Sequence, residues 1–168
     1  MRAHVIAVLA LAFVSVGSFA DDTKVTLSDV HVCCKSCVEA IAAAVQPSGA
    51  TATADKETKK VEIVAKDVAT AQAAVDALSA AGFIGKSDNK DVVVKPATVG
   101  DGKATSLDLT THNCCAKCTK AIDAAANTAA GVTDVAATPK DPKITVKGDF
   151  EEKAAAKALN DAGFQVKK

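Results

Sequence analysis

His31-Val32-Cys33-Cys34-Lys35-Ser36-Cys37 returns 81 residues later as His112-Asn113-Cys114-Cys115-Ala116-Lys117-Cys118. The same offset carries Ala40-Ile41 to Ala121-Ile122, Ile63 to Ile144 and Ala77-Leu78 to Ala158-Leu159. It also carries Ala81-Gly82-Phe83 to Ala162-Gly163-Phe164. An offset that stays constant over ~50 residues leaves no net insertion between the copies, the signature of a repeated unit. The reading is two homologous domains, residues 22–95 and 103–168. Between them Pro96-Ala97-Thr98-Val99-Gly100-Asp101-Gly102 has the Pro, Gly and polar chemistry of a linker.

Outward from the cysteines, each unit spells strand, helix, strand, strand, helix, strand. Val25–Val30 alternates in part, as a half-buried strand does. Cys37, Ile41 and Val45 then recur at helical spacing until Pro47-Ser48-Gly49 stops the helix. Thr51–Ala54 and Val61–Ala65 flank the polar turn Asp55–Lys60, a hairpin signal. Asp67 is placed to N-cap a second helix carrying Ala71, Ala74, Val75 and Leu78. Gly82 closes that helix, and Phe83-Ile84 is expected to begin the last strand. In the second unit the helices are expected at Ala116–Ala129 and Glu151–Asp161, and the central strands at Val132–Ala136 and Lys143–Lys147. This order predicts an α+β chain of two ferredoxin-like βαββαβ sandwiches in tandem, each with a helix pair on one face of a four-stranded sheet. Val92-Val93-Val94 has no counterpart in the second unit and is read either as an extension of the last strand or as an extra edge strand.

The chain's 168 residues carry 20 Lys+Arg against 20 Asp+Glu, and the only arginine is Arg2. Balanced charge argues against nucleic acid as a partner, since such proteins carry a basic surface. Hydrophobic residues make up 49% but aromatics only 3%, much of the apolar count being alanine. In units of ~65 residues, near the lower limit for independent folding, the cores are therefore expected to be thin, with Phe83 and Phe164 as anchors. Residues 1–20 read as a signal peptide: Arg2 and His4, an apolar run Val5–Val16, then Ser18-Phe19-Ala20 with small residues at the cleavage positions. That run is shorter than the ~20 residues a membrane-spanning helix needs. The expectation is an exported chain, periplasmic or secreted, with no span in its mature part.

Every cysteine and both histidines of the mature chain fall in the two seven-residue windows. Each Cys-x-x-Cys stands where a strand ends and a helix begins. Free amide donors and the positive helix terminus favour thiolate over thiol there, and thiolates select soft ions such as Cu(I) and Zn(II) over hard ones. Two sulfurs suit a near-linear Cu(I) or Hg(II) ion. A third from Cys33 or Cys114 allows three-coordination, and His31 or His112 would complete the Cys₃His set of a closed zinc site. Structural disulfides alone leave one thiol over in each unit, and neighbouring cysteines bridge only with strain. Thiol–disulfide exchange through Cys34–Cys37 and Cys115–Cys118 is the alternative chemistry, although Lys-Ser and Ala-Lys lack the Gly-Pro of thioredoxin active sites. No activated serine, placed carboxylate pair or Gly-rich phosphate loop suggests an enzyme.

With loop, helix and turn in agreement twice over, each unit resembles a heavy-metal-associated (HMA) domain. That family includes copper chaperones, the N-terminal repeats of copper-transporting ATPases and the periplasmic mercuric-ion-binding protein. Its pattern is a Cys-x-x-Cys between the first strand and first helix, and Cys37-Val38-Glu39-Ala40-Ile41 fits the family's residues after the second cysteine. Ala-Gly-Phe matches the turn whose aromatic packs near the metal loop, which implies that role for Phe83 and Phe164. The resemblance makes Cys34 and Cys37, and Cys115 and Cys118, the metal pairs. It implies a Cu(I) chaperone-like protein that sequesters or shuttles its ion, with Hg(II), Zn(II) or Cd(II) behind copper, and a metal transporter or acceptor protein as partner. The chain departs from the pattern at Cys33 and Cys114, usually a small polar residue, and at His31 and His112, usually glycine. It departs also at Val32 and Asn113, where a methionine usually packs under the loop. Val32 keeps that apolar role, whereas Asn113 implies a looser second loop. Two sites are expected, acting separately or facing each other to share one ion.

Overall fold

Alternation in strands and three-to-four spacing in helices set which side chains turn inward. In the computed structural model, which describes residues 22–168, those side chains form the core. The predicted signal peptide lies outside the described residues. The first unit runs β1 (Thr23–Ser28), α1 (Lys35–Val45), β2 (Thr51–Asp55), β3 (Lys60–Ala65), α2 (Val68–Ala80) and β4 (Lys86–Ser87). Its four-stranded sheet has the order β2-β3-β1-β4. The pairing is antiparallel throughout, with Val25 opposite Ile63 and Leu27 opposite Val61. Those four residues are buried, and Ile41 and Val45 of α1 and Ala71, Ala74, Val75 and Leu78 of α2 are buried with them. Asp67 caps α2 as expected, its carboxylate accepting from the Thr70 N–H at 2.7 Å.

The second unit runs β5 (Lys103–Thr110), α3 (Ala116–Ala126), β6 (Val132–Ala137), β7 (Lys143–Glu151) and α4 (Glu152–Asp161), with sheet order β5-β7-β6. Both units are ferredoxin-like α+β folds, but the expectation of two four-stranded sheets is corrected. In the second unit the fourth strand shrinks to a single bridge, Thr110 to Lys167. Nor do Phe83-Ile84 begin β4. Phe83 forms an antiparallel bridge with Phe164 of the other unit. Gln165 donates to the Gly82 carbonyl at 3.0 Å, and Ile84 to that of Gly163 at 3.3 Å. Backbone groups that a last strand would spend inside its own sheet are spent between the units.

Smaller differences have identifiable hydrogen-bonding causes. Helix α3 stops at Ala126 because the Asn127 amide and the Thr128 hydroxyl take the carbonyls of Asp123 and Ala125, at 2.8 and 2.7 Å. Val92–Val94 is neither strand extension nor edge strand; Gln72 on α2 bonds both the N–H and the carbonyl of Val93, at 2.7 and 2.9 Å, as a strand partner would. The linker is strapped down: Val99 is buried, Gly100 donates to the Glu152 carboxylate at 2.9 Å, and Asp101 pairs with Lys153. Phe150 on β7 is a third buried phenylalanine that the repeat pattern did not single out.

Candidate metal centre

Cys34 and Cys115 are the N-caps of α1 and α3, both in extended backbone conformation. Their carbonyls accept the first helical bonds, Cys37 N–H to Cys34 at 3.1 Å and Thr119 N–H to Cys115 at 3.1 Å. Neither side chain caps its helix, which leaves the sulfurs available. One turn on, Cys37 and Cys118 point inward and are fully buried, while Cys33, Cys34, Cys114 and Cys115 are half-buried. All six are free thiols.

The two loops do not make separate sites, for they face each other and their sulfurs interleave. Within a unit, Cys33 and Cys34 lie 3.7 and 3.6 Å from Cys37. Cys114 and Cys115 lie 3.6 and 3.9 Å from Cys118. Between units, Cys33 reaches Cys118 at 3.5 Å and Cys115 at 3.8 Å, and Cys114 reaches Cys37 and Cys34, both at 3.6 Å. Cys34 meets Cys115 at 3.8 Å and Cys37 meets Cys118 at 3.9 Å. These pairs obey a two-fold exchange of the loops, so the repeat in the sequence becomes a symmetry of the cage.

The histidines cross over as well. His31 stacks on Phe164 of the second unit, ring centroids 4.1 Å apart, and His112 lies over Phe83 of the first at 4.2 Å. The Nε2 atom of each is buried without a hydrogen-bond partner. Burial pushes the His31 pKa down to about 4, against the attraction of Cys37 and aided by His112 and Lys59, so the ring is neutral at pH 7. A neutral imidazole packed beside thiols, as His31 is, has the chemistry of a metal ligand. His112 groups with Cys37, Cys114 and Cys118, and His31 with Cys33 and Cys118, each set with donor atoms within 4.8 Å of one another. The sets mix both units, so a Cys₃His set drawn from one window is replaced by one drawn from two.

Crowding also divides the thiols electrostatically. Hydrogen bonding from Cys118, opposed by burial and aided by His112, holds Cys37 far below the usual thiol range. Cys118 is pushed up because it donates to Cys37 and is buried, and burial first raises Cys33 and Cys114. For Cys115 burial pushes up, yet backbone N–H groups of Cys118 and Lys117 prevail and draw it to about 7. Neighbouring thiols are thus driven in opposite directions, Cys37 and Cys115 toward thiolate and Cys33, Cys114 and Cys118 toward thiol.

Asn113 corrects the expectation of a loose second loop. Buried under it, its amide donates to the carbonyls of Thr138 and Asp141 at 2.8 and 3.0 Å, and its carbonyl accepts from the Thr119 hydroxyl at 2.9 Å. This polar tie replaces the apolar packing that buried Val32 gives the first loop. Asn113→Ala is expected to lower stability by ~1–3 kcal/mol through carbonyls left unpaired, and Asn113→Val not to rescue it. Equal denaturation midpoints for wild type and the Val variant would refute this.

Sequence reasoning did not single out what Gly82 and Gly163 do at the site. Both have positive φ, 88° and 86°, and a methyl on either would overlap the backbone of the other unit's histidine. The signal was present: Ala-Gly-Phe recurs at the same offset as the cysteines.

No helix among the described residues is long and apolar enough to cross a membrane. No protein-family model matches the chain, and no curated protein does. Among solved structures the chain is similar to the N-terminal soluble domains of CopA from Bacillus subtilis, at 14% identity and a TM-score of 0.33 over 88% of this chain and 94% of that one. The fold assignment rests on the strand order and crossover helices of the two units, and the candidate centre on the meeting of their cysteine loops.

Proposed function

We propose that the protein is an exported carrier of soft heavy-metal ions, Cu(I) before Hg(II), Zn(II) or Cd(II), built from two HMA-type domains, 22–95 and 103–168, joined by 96–102. One observation carries the reading: six free thiols from two loops lie sulfur to sulfur at the starts of two helices. Such a donor set disfavours hard ions and stabilises thiolate. Cys37 and Cys118 hold the ions from beneath. The half-buried Cys33, Cys34, Cys114 and Cys115 form the rim through which an acceptor's thiols enter by ligand exchange. His31 and His112 wall the centre, and each offers one ring nitrogen. The role is binding and transfer or sequestration rather than catalysis, and the partner is a metal transporter or acceptor protein.

Thiol–disulfide exchange is the second reading, favoured by the half-buried Cys115 with its pKa drawn to about 7. The two separate in one experiment on the reduced chain. The metal reading expects Cu(I) to be held against a competing chelator and all six thiols to be shielded from alkylation. Failure to retain Cu(I), with ready reduction of a model disulfide, would replace the metal reading with the redox one.

A further inference from the structure

The six thiols exceed what one Cu(I) ion can use, and each loop's sulfurs lie within 3.5–3.9 Å of sulfurs of the other loop as well as of their own. Four triads cover them: Cys33/Cys34/Cys37, Cys34/Cys114/Cys115, Cys37/Cys114/Cys118 and Cys33/Cys115/Cys118. Each cysteine belongs to two triads, and any two triads share one cysteine. The last two triads have all edges between 3.5 and 3.9 Å. The first two have two edges of 3.6–3.8 Å, and their adjacent-cysteine edge is within 4.8 Å. An ion at the centre of a sulfur triangle with metal–sulfur bonds of ~2.3 Å holds its sulfurs ~4.0 Å apart. The triads have that size before any ion enters.

We infer that the cage takes a four-ion Cu(I)–thiolate cluster, one trigonal Cu(I) per triad, with every cysteine sulfur bridging two ions. The inference rests on the Cu(I) reading above and extends it to capacity and sharing. Four Cu(I) ions and six thiolate sulfurs give a cluster of net charge −2, and each proton still held by a thiol passes to solvent as its sulfur binds copper. Copper stays monovalent, so no electron donor or acceptor is needed. The residual negative charge lies at the first turns of α1 and α3, where unpaired N–H groups and the helix dipoles favour it. A tetrahedral ion finds its donors in Cys37, His112, Cys114 and Cys118, but that set leaves Cys33, Cys34 and Cys115 idle. The trigonal arrangement uses every thiol. It also accounts for the third cysteine of each loop, which a Cys-x-x-Cys pair does not require.

The test is an anaerobic titration of the reduced full chain with Cu(I) under chelator competition, read by native mass spectrometry and copper X-ray absorption. The expected result is four Cu(I) per chain, filled with few intermediate loadings, and a copper–copper scattering shell. In the full chain carrying Cys33→Ser and Cys114→Ser, capacity is expected to fall to two or fewer. Two Cu(I) per wild-type chain, filling independently and without a copper–copper shell, would overturn the cluster while leaving the Cu(I) reading intact. So would wild-type capacity in the double variant. No retention of Cu(I) at all would overturn both.

Discussion

Phe164→Ala is expected to lower the unfolding free energy by ~3–5 kcal/mol, the range for deleting a buried aromatic side chain. The ring is 1% exposed. It serves the core of its own unit and also carries His31 of the other, at 4.1 Å. The loss is therefore expected to reach past the second unit. His31 would be left without its platform, and the Cys33–Cys118 approach, at 3.5 Å the shortest between the loops, lies within the same group of donors. Phe83→Ala is expected to act in the same way through His112, which lies over it at 4.2 Å. Chemical denaturation combined with the Cu(I) titration provides the check. If Phe164→Ala changed stability but left Cu(I) affinity at the wild-type level, the ring would be a core residue and no more.

The second large effect belongs to the glycines. Gly82→Ala forces alanine into the left-handed region at φ 88°, at a cost of ~1–3 kcal/mol. It also drives the new methyl into the backbone of Thr111 and His112. Gly163→Ala repeats this against Asp29, Val30 and His31. Gly49 is the control. It too has positive φ, 81°, but a methyl there meets nothing within 4 Å, so Gly49→Ala carries the conformational cost alone. The expected order is a modest fall in melting temperature for Gly49→Ala and a distinctly larger one for Gly82→Ala or Gly163→Ala. Metal binding should be impaired only in the latter two. Equal falls in all three would mean that the close approach between units does not contribute to stability.

Much of this was legible in the sequence because it is local. Asp67 caps its helix through a bond to a residue three positions on, and Gly82 ends one through its own φ; neither needs distant chain. Strand alternation and helical spacing placed Val25, Leu27, Ile41 and Leu78 in the core without reference to the other unit. The repeat, read from spacing alone, showed two like units and confined the chemistry to two windows, and the order of strands and helices in each unit supplied the fold class. Where local rules failed, a non-local partner had intervened. Phe83-Ile84 look like the start of a strand, but their hydrogen bonds go to Gly163 and Gln165. Asn113 looks like a poor substitute for an apolar residue until the carbonyls of Thr138 and Asp141 come within reach.

By itself, then, the sequence determined that this chain is one thiol-bearing βαββαβ unit made twice, because periodicity, capping and turn chemistry act over a few residues. Only the tertiary structure decided that the two cysteine loops meet. Glycines without side chains let each Ala-Gly-Phe turn lie against the other unit's histidine, and an 81-residue offset within one chain became a two-fold symmetric cage. No short-range rule encodes that meeting, since it depends on the complementarity of two finished surfaces.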